Sequence, residues 1–261
     1  MASGVLVVLV GRAAKAAEYL VADEKEYRAT LRLGLTTDTE DSTGEVLSRC
    51  ETLPAEGEVR SVCDRFVGEL MQIPPMYSAL KQGGRKLCDL ARQGVVVERP
   101  ARPITVYRLA CEATEQVGDY VLDVHCSSGT YIRTLCADIG ASLGCGGVMA
   151  SLERTRTGGF ALDEAYSIAD LEAMSEQERM SCLIPTERLF DALPVVHLSE
   201  FFERLCHSGC EIYQKKIRVD CPIGQRVRLC SQDGSFFALG EVREYPDGSA
   251  IKALKLFDLG E

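Results

Sequence analysis

From residue 26 to 34 hydrophobic and polar residues alternate, with Tyr27, Ala29, Leu31 and Leu33 on one side and Arg28, Thr30 and Arg32 on the other. A period of two predicts a half-buried strand. Residues 120–126 alternate in the same way and run into the turn Ser127-Ser128-Gly129, after which a helix is predicted to open at about Thr130. The continuous apolar run at 5–10 suits a buried strand, and the Ala- and Lys-rich stretch 12–22 suits a helix. Val59, Val62, Cys63, Phe66, Val67 and Leu70 follow helical spacing, so a helix is expected to continue until Pro74-Pro75 stops it.

Residues 85–93 read as a short basic helix closed by Gly94, and 95–97 and 104–111 as strands beside 120–126. Residues 36–44 are turn chemistry throughout and predict an exposed loop. Ser167 with Asp170 resembles a capped helix start. Beyond about Pro194, short apolar runs separated by Asp233-Gly234 and Asp247-Gly248 predict hairpins with strands at 225–229, 236–243 and 250–257. The expected class is α+β: a mixed, mainly antiparallel sheet flanked by helices over 1–190, then a small β-rich domain over 194–261.

With 261 residues and 46% apolar content, one large domain and one small one can each bury a core. The start of the chain lacks a charged leader and its apolar run is too short to span a bilayer, so a cytoplasmic protein without membrane contact is expected. Twelve cysteines are scattered singly with no C-x-x-C pair, and read as free thiols in a reducing compartment. Cys206, His207 and Cys210 form one cluster with no partner of zinc-ligand spacing, so no metal is expected. The net charge is −10, but its distribution changes the picture. Residues 81–108 carry net +5, against −6 over 36–70 and −6 over 163–187. A local basic ridge between acidic faces suits a partner rich in phosphate.

Four stretches then carry a resemblance. They are Ala2-Ser-Gly-Val-Leu-Val-Val-Leu-Val-Gly11; Lys25-Glu-Tyr27-Arg28-Ala29 with Thr37-Asp38-Thr39-Glu-Asp41; Gln72-Ile-Pro-Pro-Met-Tyr-Ser-Ala-Leu-Lys81; and Cys126-Ser-Ser-Gly-Thr-Tyr131-Ile-Arg133-Thr134 with Leu152-Glu-Arg154. In this order they resemble the bacterial TruB family of tRNA pseudouridine synthases. The resemblance is close up to about Phe160, and the tail resembles a PUA-like domain only generically.

The resemblance implies a pseudouridine synthase catalytic domain acting on the T-loop uridine-55 of tRNA, without a cofactor, gripping the T-arm and expected as a monomer. Tyr27 would stack on the flipped base and assist the proton at C5, Arg133 would pair with the nucleophilic Asp, and Tyr131 and Leu152 would contact the target uridine. Lys81, Arg85, Lys86 and Arg92, with Arg154, would meet RNA. Ser128 departs from the family's usual Lys, and Cys88 from its usual aromatic. The family's nucleophile lies in a Gly-Thr-Leu-Asp-Pro stretch that aligns just ahead of Met1. An N-terminally truncated chain is therefore expected, with a catalytically inactive tRNA-binding or RNA-folding relative as the alternative. Without that Asp, Arg133 is expected to be an uncompensated charge in a cleft.

Overall fold

The computed structural model describes residues 2–20 and 24–257. The chain divides into two compact units, Met1–Val7 with Ala22–Ala165, and Val8–Val21 with Tyr166–Glu261.

The first unit is built on one sheet. Its strands are β1 (Ala2–Gly4), β2 (Lys25–Leu33), β5 (Gly68–Gln72), β8 (Arg102–Ala113), β9 (Asp119–Cys126), β10 (Gly147–Thr157) and β11 (Phe160–Ala161). The order is β1-β10-β2-β9-β8-β5, with β11 paired to β10. Only β1 runs parallel to its neighbour; the other pairs are antiparallel. Two small hairpins lie outside it, β3 (Leu35–Thr37) with β4 (Val46–Arg49), and β6 (Lys81–Gln82) with β7 (Arg85–Lys86).

Beyond the four-residue α1 (Ala17–Leu20), which belongs to the second unit, come α2 (Glu56–Asp64), α3 (Leu87–Ala91) and α4 (Ile132–Ser142). Val59, Val62 and Cys63 of α2 and Ile132, Leu135, Cys136 and Ile139 of α4 join Ala29, Leu31, Leu122 and Val124 in one core. The alternation read from the sequence is what makes β2 and β9 present these side chains to a single face.

Several expectations need correcting. Residues 5–10 form no strand: Val5 is buried, but Leu6, Val8 and Val10 are 71%, 72% and 61% exposed. The helix expected to reach Pro74 ends at Asp64; the chain then turns through 65–67 and enters β5 at Gly68, whose φ is +113°. Arg85 and Lys86 lie in a strand, so the basic helix shrinks to α3, and 95–97 are not a strand. The loop at 38–44 is pinned rather than free, as described below.

In the second unit β12 (Val195–His197), β13 (Ile212–Tyr213), β14 (Arg226–Cys230), β15 (Phe236–Tyr245) and β16 (Gly248–Leu256) form a sheet ordered β12-β14-β15-β16-β13. The strands expected at the Asp-Gly turns are β14, β15 and β16. Ser167 caps α5 (Ile168–Ala173), accepting from Asp170 N–H at 3.1 Å. The division between units differs from the expected 1–190 and 194–261. Residues 166–190 go with the second unit, where Phe190 packs with Ala16, Leu239 and Phe257. Among the described residues no helix is long and apolar enough to cross a membrane.

Candidate active site

β9 ends at Cys126, and the Ser127 hydroxyl accepts from Thr105 N–H at 2.9 Å. The chain then turns through Thr130, whose hydroxyl bonds the Ser127 carbonyl at 2.9 Å, and Tyr131 becomes the N-cap of α4. Tyr131 has no side-chain cap of the usual kind. Its backbone is instead held by the Gln72 amide: Nε2 donates to the Tyr131 carbonyl at 3.0 Å, and Tyr131 N–H donates to Oε1 at 2.8 Å.

Arg133 projects from the first turn of α4. Its Nη1 reaches Asp41 Oδ2 at 3.2 Å and the Thr39 carbonyl at 3.5 Å, and its Nη2 donates to the Tyr77 carbonyl at 2.7 Å. The guanidinium is therefore compensated, contrary to the expectation of an unpaired charge. Its partner is an aspartate of the loop that turn chemistry alone assigned to solvent.

That loop is tied to β10. Ser42 N–H donates to the Met149 carbonyl at 2.9 Å, and Met149 N–H to the Glu40 carbonyl at 3.1 Å. Both bonds fall where β10 bulges, between Met149 and Ser151. Asp41 Oδ1 accepts from Thr43 Oγ1 at 2.6 Å, Thr39 Oγ1 at 2.9 Å and Thr43 N–H at 3.0 Å, while Oδ2 faces Arg133. Burial pushes this carboxyl up, but the hydrogen bonds and the guanidinium outweigh it and hold it below the ordinary carboxylate range. One turn along α4 the environment acts the other way. Thr134 donates to Glu40 at 2.6 Å, and Asp138, crowded by burial and by the Glu40 charge, is pushed up to about 6.

Tyr27 lies on β2 opposite Arg154 of β10 and Val124 of β9, and two residues on Ala29 faces Leu152. Paired residues share a face, so Tyr27, Leu152 and Arg154 lie on the side of the sheet that α4 covers. Tyr27 and Leu152 both pack against that core. Burial raises the Tyr27 phenol and the nearby Cys126 adds to this, while the Arg154 guanidinium, hydrogen-bonded to the phenol, opposes them. Arg154 Nε donates to the Val5 carbonyl at 2.7 Å, so this arginine, expected at RNA, is engaged within the protein.

The remaining basic candidates stand apart from this group. Gly83-Gly84 supply the turn of the β6–β7 hairpin, in which Lys81 faces Lys86, and all four of Lys81, Arg85, Lys86 and Arg92 are exposed. They rim an open cavity of about 600 Å³ with Gly84, Asp89 and Gln93. The motifs singled out Arg133 and Tyr27, but not Asp41 as the arginine's partner or Gln72 as the clamp. Their only signal was membership of the same motif stretches.

A family model described as "TruB family pseudouridylate synthase (N terminal domain)" matches residues 1–132, and one described as "tRNA pseudouridylate synthase B C-terminal domain" matches 133–191. The chain is 42% identical over 264 residues to a tRNA pseudouridine synthase B of Alkaliphilus oremlandii, covering 98% of this chain and 85% of that protein. Its identity to the protein of the same name from Neisseria meningitidis serogroup B is 36% over 258 residues, covering 99% and 82%. In fold it is similar to a chain of a Cbf5-Nop10-Gar1 complex, with a TM-score of 0.69, 24% identity, and coverage of 98% of this chain and 73% of that one.

Proposed function

This chain belongs to the TruB family of pseudouridine synthases, and we propose that it isomerises a tRNA uridine, uridine-55 of the T-loop, to pseudouridine. The reaction breaks the C1′–N1 bond, rotates the uracil and joins C5 to C1′; the C5 proton passes to solvent while the freed N1 takes one up, so no atoms are gained or lost overall. A target base must be everted into the site at a cost of a few kcal/mol of unstacking. Tyr27 would then stack on the uracil, with Leu152 beside it and Tyr131 at the helix cap. Arg133 would orient a carboxylate and keep it ionised. Asp41, with both oxygens already engaged, serves here to hold Arg133 rather than to attack sugar carbon.

The observation that supports this reading is the shared sheet face: the aromatic ring of Tyr27 and the helix that presents Arg133 both lie on it. Lys81, Arg85, Lys86 and Arg92 would grip the T-arm backbone from the exposed hairpin and α3. The test is tritium release from a T-arm RNA carrying 5-tritiated uridine, followed by nucleoside analysis of the product. Pseudouridine at a single T-loop position is expected. RNA binding without product would overturn the isomerase reading in favour of an RNA-binding role.

A further inference from the structure

We propose that Gln72 is a positioning residue for Arg133, setting the arginine's aim through the backbone of Tyr131. The proposal rests on the isomerase reading for its consequence in turnover, but its geometry stands independently. Gln72 is the last residue of β5 and is 4% exposed. Its amide spends one donor and its acceptor on a single residue, the N-cap of α4. A primary amide is the side chain that offers a donor and an acceptor side by side, matched to one residue's C=O and N–H. The Tyr131 carbonyl also accepts the first helical bond, from Leu135 N–H at 3.0 Å, so fixing Tyr131 fixes the first turn from which Arg133 leaves.

Five residues beyond Gln72 the same segment takes the other end of the arginine, where Arg133 Nη2 meets the Tyr77 carbonyl. The stretch from Gln72 to Tyr77 thus holds Arg133 at its root and at its tip. A misplacement of the order of 1 Å in such a group can cost about a hundredfold in rate while leaving substrate binding intact.

The experiment compares Gln72→Met and Gln72→Glu with the unaltered chain. One readout is the Arg133 Nε–H signal in proton–nitrogen spectra of the RNA-free protein, assigned by its loss in Arg133→Lys. The second is single-turnover pseudouridine formation alongside T-arm RNA affinity. Gln72→Met should move the Arg133 signal and slow turnover at least about tenfold, with affinity within about twofold of the parent.

Gln72→Glu should behave like Gln72→Met at pH 8, where an ionised carboxylate faces the Tyr131 carbonyl. At pH 5 its protonated fraction regains an O–H donor beside a C=O acceptor, and both signal and rate should move back toward the parent. Asp41, Glu40 and Asp138 near Arg133 titrate in every variant, so each comparison is made with the unaltered chain at the same pH. An Arg133 signal unmoved in both variants would overturn the proposal, as would a rate loss matched by lost affinity with no recovery at pH 5. If the unaltered chain makes no pseudouridine, the isomerase reading fails while the Arg133 signal still decides the role of Gln72.

Discussion

Arg133 and Asp41 meet at 3.2 Å, and among the described residues Arg133 is the only cation in the set of donors around the aspartate's two oxygens. Removing one partner of a fully buried pair costs about 3–5 kcal/mol. Here 23% and 17% of the two side chains remain exposed and two carbonyls still hold the guanidinium. Asp41→Asn is accordingly expected to cost about 1–2 kcal/mol in urea unfolding at pH 7. Because the folded-state carboxyl lies below its unfolded value, the stabilisation is fully present above the ordinary value of about 4 and fades as pH falls through the folded one. The difference between parent and variant should close below pH 4; a constant difference down to pH 2 would show that charge plays no part.

Asp138 gives the opposite dependence. Its carboxyl is raised to about 6 by burial and by Glu40, so the folded state favours the neutral form. Its favourable contribution is present below the unfolded value and is lost as pH rises through about 6. Asp138→Asn should therefore stabilise the chain at pH 8 and leave it unchanged near pH 4. The residue keeps an exposed outer surface, and screening there holds the gain to about 1 kcal/mol. Thermal unfolding at the two pH values checks this.

Neutralising Lys81, Arg85 and Lys86 together removes three exposed cations from one hairpin. For a T-arm RNA the slope of log affinity against log salt should fall by about 2–3, with the melting temperature unchanged. An unaltered slope would remove the hairpin from the RNA contact.

Gly140→Ala tests the seat of α4 on the sheet. In an open helix the change would gain about 1 kcal/mol. Here a Cβ on Gly140 would overlap the backbone of Gly146 and Gly147 at the start of β10. A net loss of about 1–3 kcal/mol is expected, with reduced turnover as α4 shifts.

The Tyr27 phenol should ionise above the ordinary tyrosine value of about 10, and higher still in Arg154→Met, where the opposing cation is gone. Absorbance at 295 nm, read against Tyr27→Phe, isolates this group. A lower value in Arg154→Met would contradict the observed contact.

The sheet's centre was readable because β2 and β9 each place one strict alternation on a half-buried surface, and such a pattern has a single solution. The run at 5–10 was not, since a continuous apolar stretch does not say which neighbour covers it. The helix expected over 59–70 overran because Phe66, Val67 and Leu70 keep helical spacing after the helix has ended at Asp64. In the candidate site, the motifs singled out Arg133 and Tyr27. Asp41 was hidden by its setting, since residues that form a solvated turn also form one whose carboxylate points inward. Gln72 was hidden by distance, because its partner is 59 residues away and no local pattern marks a long-range backbone clamp.

The three groups that hold the Arg133 guanidinium lie 94, 92 and 56 residues earlier in the chain. Contacts of that span form only after the intervening loops have closed. A nascent chain halted short of α4 on the ribosome would hold the β6–β7 hairpin without Arg133. On the function proposed above, RNA capture is therefore expected to precede turnover during synthesis, and a pulse of translation arrested at staged lengths would reveal that interval.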